Sequence, residues 1–246
     1  MANRRRLAGL GSSLFIGLIG IAACTPASTP SVAASIPSAS ASAPASVPAA
    51  TATATATTAA SPSPSTVVGT LCAGDQTQPP CELAPGTYSA DPFSPGFTFT
   101  IAEPWTNERR YADGGGISLG EAAFFWASGV SAGTVDGTGV AIEPGPAGFL
   151  AFLAKFEGFA LSEPGTATVD GVSGIQVDVE TKETAAPQIF EIQADVFNLD
   201  PGEKARFILL DKDGTTVIFI IDAFKAADFD AFLVKAQPLI DSVTWE

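Results

Sequence analysis

Ala205-Arg206-Phe207-Ile208-Leu209-Leu210 and Thr215-Thr216-Val217-Ile218-Phe219-Ile220-Ile221 are two β-prone runs joined by Asp211-Lys212-Asp213-Gly214. Asp-Gly between two runs of β-prone residues signals a hairpin. Val217 to Ile221 is apolar at every position, so neither face is left for water, and the run predicts a central strand. Asp211 to Gly214 also resembles a fragment of a calcium loop. An EF-hand needs ligands spread over 12 residues, a closing Glu and helical flanks. With strands on both sides, the hairpin reading prevails.

Working outward, Ile175 to Glu180 alternates apolar and polar residues, as a half-buried antiparallel strand does. Ile189 to Phe197 alternates again. It predicts one strand with Phe190, Ile192, Ala194 and Val196 inside and Glu191, Gln193 and Asp195 outside. Thr166 to Val169, Asp170-Gly171 and the turn Asp200-Pro201-Gly202-Glu203 punctuate this half. Upstream, Phe97 to Ile101, Ile117 to Leu119, Ala122 to Ala127 and Val140 to Ile142 predict short strands, and Trp105 is placed on the core. Asn107 to Gly116 reads as an exposed hairpin connection ending in a flexible Gly114-Gly115-Gly116. Two helices are expected. Pro146 to Phe159 carries a stripe of Phe149, Leu150, Phe152, Leu153 and Phe156 that reads as core. The second runs from about Ala227 to Ile240, with Asp228 as its N-cap and Pro238 in its last turn. Val243-Thr244-Trp245 follows as a short terminal strand.

Runs of strands with only two helices predict an α+β domain. Asp170-Gly171-Val172-Ser173-Gly174, the hydrophobic hairpin and Ile240-Asp241-Ser242-Val243-Thr244-Trp245 resemble the pattern of PsbP-like exported lipoproteins. The resemblance spans Thr166 to Trp245. It implies an antiparallel sheet flanked by two helices and an accessory or binding role, and it assigns no functional residue.

The N-terminus carries an address. Arg4-Arg5-Arg6 is followed by an apolar run from Leu7 to Ile21. At about 15 residues the run is signal-peptide length and short of a bilayer span. Ile21-Ala22-Ala23-Cys24 then resembles the bacterial lipobox. The resemblance implies a signal peptide over 1–23, cleavage before Cys24 and lipid on its sulfur. It also implies membrane attachment with the domain outside the cytoplasm. Asn3 to Leu7 partly matches a twin-arginine signal as well, an address read by a receptor. Thr25 to Thr66 is nearly all Ala, Ser, Thr and Pro, without charge or aromatic groups. Such a segment cannot bury enough apolar surface to offset chain entropy. Residues 24–66 therefore read as a disordered tether, with a composition suited to O-glycosylation, and 67–246 as one globular domain.

The formal net charge is −14 at pH 7 in the 246-residue chain, and becomes −17 once Arg4, Arg5 and Arg6 leave with the signal. This excludes nucleic acid as a natural partner, because phosphates call for positive charge. It suits solubility outside the cell. Besides Cys24, only Cys72 and Cys81 remain, and an even pair in an exported chain reads as a disulfide.

The chain contains no histidine. That removes Ser-His and Cys-His nucleophiles, H-E-x-x-H metal sites and the usual acid-base group near neutrality. Gly116-Ile117-Ser118-Leu119-Gly120 matches the G-x-S-x-G pattern, but that elbow needs a helix after the serine and a base beside it. Gly114-Gly115-Gly116 lacks the Lys-Ser/Thr of a phosphate loop. No cofactor or metal is implied. Carboxylates could still act in pairs, as in glycosidases, with Asp178, Glu180, Glu191 and Asp195 as candidates. Three readings follow. The first is a lipid-anchored, non-catalytic binding or accessory protein for an envelope protein, glycan or small molecule. Its candidate surfaces are Arg109 to Gly116 and Ser128 to Gly139, since loops on a rigid scaffold often carry binding. The second is a carboxylate-based glycoside hydrolase acting on envelope glycans. The third is a structural envelope lipoprotein.

Overall fold

The computed structural model describes residues 68–72, 78–182, 187–193 and 195–246. The expectations for the signal, Cys24, the tether and Ala194 fall outside the described residues.

In chain order the strands are β1 (Val68–Thr70), β2 (Cys81–Leu83), β3 (Gly86–Ser89), β4 (Phe97–Ile101), β5 (Trp105–Arg110), β6 (Gly114–Ser118), β7 (Ala122–Ser128), β8 (Ala132–Val135) and β9 (Thr138–Ala141). Helix α1 (Pro146–Leu153) separates these from β10 (Phe159–Leu161), β11 (Gly165–Val169), β12 (Val172–Thr181), β13 (Gln188–Ile192), β14 (Asp195–Asn198), β15 (Lys204–Lys212) and β16 (Thr215–Ala223). A 3-10 turn (Ala226–Asp228), helix α2 (Phe229–Asp241) and β17 (Thr244–Trp245) complete the chain.

Most strands join one antiparallel sheet in the order β10-β12-β15-β16-β7-β6-β5-β2, with β11 also on β12. Strand β16 sits inside it, between β15 and β7, as its apolar run predicts. One face carries Val217, Phe219 and Ile221 into a core with β4 and α2, including Phe97, Phe99, Phe232, Leu239 and Ile240. The other carries Ile218 and Ile220 into a second core with Phe149, Phe152 and Leu153 of α1 and Ile189 and Phe190 of β13. Each face is thus covered by one helix and one small sheet. The covering sheets are β1-β3-β4-β17 and β14-β13-β8-β9.

This corrects the expected fold class. The described residues form seventeen strands in three sheets and only two α-helices, a β-rich fold rather than an α+β sheet flanked by helices. The physical reason lies in the covers. Helix α1 has only eight residues and cannot span the sheet face it packs on. The remaining apolar surface is closed by strands from distant parts of the chain. Phe97 shows how: its ring meets Trp126 at 5.7 Å, Phe219 at 5.2 Å and Trp245 at 5.8 Å, joining β4, β7, β16 and β17.

Three local expectations also change. Helix α1 stops at Leu153, not Phe159; beyond it the chain turns, and Phe156 stacks on Phe159 with centroids 4.4 Å apart. Asp228 occupies the N-cap position of α2 but makes no side-chain capping bond. Its φ of −94° and ψ of −6° are already helical, continuing the 3-10 turn, whereas a capping residue needs an extended backbone. The single strand expected over Ile189 to Phe197 is a hairpin, β13–β14, broken at Gln193 with φ 46°. Past the break the phase inverts: Phe197 packs inward on Phe190 and Val196 is 37% exposed.

Three hairpins are closed by the same dipeptide. Asp136-Gly137, Asp170-Gly171 and Asp213-Gly214 all have positive φ at both residues. They join pairs in direct register, Val135 with Thr138, Val169 with Val172 and Lys212 with Thr215. Two consecutive positive φ values are what a type I′ turn demands, and Asp-Gly tolerates them best.

Cys72 and Cys81 are joined by a disulfide, with Cα atoms 6.2 Å apart. It ties the segment after β1, in one covering sheet, to β2 at the edge of the central sheet. Replacing both cysteines by serine should lower unfolding stability by roughly 2–3 kcal/mol in the chain-entropy model. Denaturant titration of the oxidised protein against the double variant checks this.

Candidate functional site

The first candidate surface, 109–116, is not an open loop. Strands β5 and β6 meet in a tight turn in which the Tyr111 amide donates to the Gly114 carbonyl at 2.7 Å. Gly114, Gly115 and Gly116 are buried strand residues. Their missing side chains are the reason. A Cβ on Gly115 would strike the Trp126 ring, one on Gly116 the Phe125 ring, and one on Gly114 the Ile192 side chain. The triple glycine lets aromatic rings lie against bare backbone on both faces of the strand.

This packing brings four segments to one corner. The Gln193 amide donates to Asp113 Oδ2 at 3.0 Å, so the break between β13 and β14 is held by the β5–β6 turn. Arg109 forms an ion pair with Asp195 at the start of β14. The Ser128 amide donates to the Asp113 carbonyl at 2.9 Å, which joins the second candidate surface, 128–139, to the first. The Ser128 hydroxyl donates to the Ser94 carbonyl at 2.6 Å, and the Ser94 amide to the Ala112 carbonyl at 3.0 Å. The rest of 128–139 is the β8–β9 hairpin, not a long loop, and the Asp136-Gly137 dipeptide was its signal.

The corner holds polar groups that the fold leaves open. The Tyr111 hydroxyl and Asp113 Oδ1 are buried and have no hydrogen-bond partner among the described residues. An orphaned buried polar atom calls for an explanation, such as an ordered water or a bound group. Arg109 keeps 44% of its side chain exposed while paired, so its guanidinium has donors left for a second acceptor.

The other residues singled out by sequence are placed elsewhere. Asp178 accepts both Nε and Nη2 of Arg206, at 2.7 and 3.0 Å, directly across β12 and β15. Glu180 is its next-but-one neighbour on the same strand. Glu191 accepts from the Gln188 side-chain Nε2 at 2.8 Å and lies in another sheet, with Asp195 engaged by Arg109. The four acids are thus spread over two sheets, and three of them are bonded to other side chains. Ser118 donates to Glu108 Oε1 at 2.5 Å between two strands, so the G-x-S-x-G stretch makes no strand-to-helix elbow. Among the described residues no group of three or more ligating side chains is arranged for a metal.

Sequence reasoning missed Asp222. It continues the apolar run of β16 into the central sheet and is 3% exposed. Burial, and then the negative charges of Glu203 and Asp200, push its carboxyl well above the ordinary Asp range. A lone acid prolonging a doubly apolar strand was the available signal.

No protein-family model matches the chain, and no curated protein is similar to it. Function is therefore argued from the site itself. Asp113→Ala removes the acceptor of the exposed Gln193 amide and should cost about 0.5–1.5 kcal/mol, the usual net worth of one hydrogen bond. Faster hydrogen exchange at Gln193 than in the parent, with exchange in β16 unchanged, is the expected signature.

Proposed function

We propose that the protein is a lipid-anchored, extracytoplasmic binding or accessory factor without catalytic activity. In this reading Cys24 carries the lipid, the segment to Thr66 is the tether, and the domain presents the Arg109–Asp113 corner to an envelope ligand. The observation that carries the binding role is that corner. It is fixed from four segments; it carries the exposed Arg109 guanidinium and, in the turn that follows, two buried polar atoms without partners among the described residues. A prepositioned donor set on a rigid frame loses little entropy on binding. The ligand that fits is one with an acceptor group, a carboxylate or a sugar hydroxyl, able to share Arg109 with Asp195. Anchoring rests on the lipobox resemblance and the acidic, histidine-free composition of the chain.

Two measurements test the two halves. Cys24→Ala should abolish lipid labelling in growing cells; undiminished labelling rejects the anchor. For binding, a photo-crosslinker at exposed Ala112 of the full-length protein is compared with one at Val234, which is 75% exposed on α2. Ala112 should give a discrete adduct in native envelopes that falls at least about tenfold with Arg109→Ala, the loss of a charge-assisted bond. The same adducts from both probes, or no effect of Arg109→Ala, would reject the corner as the binding face.

A further inference from the structure

Asp222 stands at the opposite end of β16 from the corner. In register its neighbours are Ala205 of β15 and Ala123 of β7, both fully buried. Alanine gives the carboxyl no partner from either flanking strand. Its Oδ1 has no hydrogen-bond partner among the described residues. What faces it is negative charge. Glu203 is 7% exposed and Asp200 lies three residues before it; both repel the Asp222 carboxylate.

These acids belong to a turn that fastens several elements. Glu203 Oε2 accepts the Asp200 amide at 2.5 Å, and the Glu203 amide donates to the Asp200 carbonyl at 3.0 Å. The Gly202 amide donates to the Thr181 carbonyl, and the Thr181 amide to the Glu203 carbonyl, each at 3.2 Å. The Ala226 amide donates to the Gly202 carbonyl at 2.8 Å. The turn 200–203 is therefore bonded to the end of β12 and to the connector between β16 and α2. Lys204 and Arg206 of β15 lie over the Phe229 ring, and Arg206 is also paired with Asp178. Lys225 is paired with Glu121 in an exposed bridge beside the start of β7.

We propose that Asp222, Glu203 and Asp200 form a pH-sensitive latch, which fastens the turn 200–203 and the β16–α2 connector to the sheet in acid and loosens them as the pH rises. The direction follows from linkage. The folded domain holds a proton on Asp222 at pH values where the unfolded chain, titrating near the ordinary Asp value of about 3.9, has lost it. The stabilisation is complete below that ordinary value and declines as the pH climbs through the raised one. Above it, a buried third negative charge is repelled by Glu203 and Asp200, the two acids of the turn whose bonds are named above. The proton passes to solvent, so the device needs no other reactant. It is independent of the binding reading above.

Hydrogen exchange of the full-length protein between about pH 4 and pH 8 tests it, after correction for the intrinsic rate. Protection of the Gly202 and Ala226 amides should fall about tenfold or more across the range, while Tyr111, at the far end, keeps its protection. Asp222→Asn, uncharged and nearly isosteric, should hold both amides protected throughout. Glu203→Gln provides an independent arm, because it removes one repelling charge without touching Asp222, and should move the midpoint to lower pH. Protection at Gly202 and Ala226 that does not change with pH overturns the latch. So does a midpoint unmoved by Glu203→Gln, or parental pH dependence in Asp222→Asn.

Discussion

A strand that is apolar on both faces has to be covered twice. Val217, Phe219 and Ile221 go to one core and Ile218 and Ile220 to the other, and no residue of that run remains for water. Fully burying a side chain of this size stabilises by about 1.5–3 kcal/mol, so leaving either face open would forfeit several such terms. The two helices and the two small sheets follow from this requirement. Neither short helix closes a face alone, and the chain recruits strands from its beginning, middle and end to finish the work.

Local signals were legible where the chemistry is local. The Asp213-Gly214 hairpin, the doubly apolar β16 and the phenylalanine stripe of α1 are all read from neighbours a few residues apart. What escaped depends on distance. The covering sheet β1-β3-β4-β17 pairs Thr98 with Thr244, which no window of periodicity can anticipate. The hairpin at Gln193 escaped for the opposite reason. A turn inside an alternating run preserves the look of alternation while inverting which residues are buried, so Val196 and Phe197 exchanged places.

The corner stands out in the sequence as a polar loop ending in three glycines, which implies looseness where the structure shows closeness. Three glycines in succession read as a flexible loop when backbone freedom is the only consideration. Against Phe125, Trp126 and Ile192 they are instead the one composition that lets rings and backbone touch. Tyr111, Asp113 and Gln193 gained their roles from that contact and carried no sequence signal of their own. Asp222 did carry one, a charged residue prolonging a buried strand, but its meaning rests on Glu203 and Asp200, which only the return of the chain through the 200–203 turn brings near.

The last strand has a kinetic consequence. Thr244 and Trp245 complete the sheet that covers Phe97, with Trp245 stacked on Phe219 at 5.8 Å and its indole donating to the Val169 carbonyl at 3.1 Å. The Glu246 amide then donates to the Gly96 carbonyl. The bonds to β4 and Gly96 join segments well over a hundred residues apart in sequence. Native pairings of such long sequence separation are slow to close, because loop entropy is lost before the contact is gained. An emerging chain cannot seal this core until Thr244 and Trp245 are available. Late closure keeps the emerging chain pliable until β17 can dock.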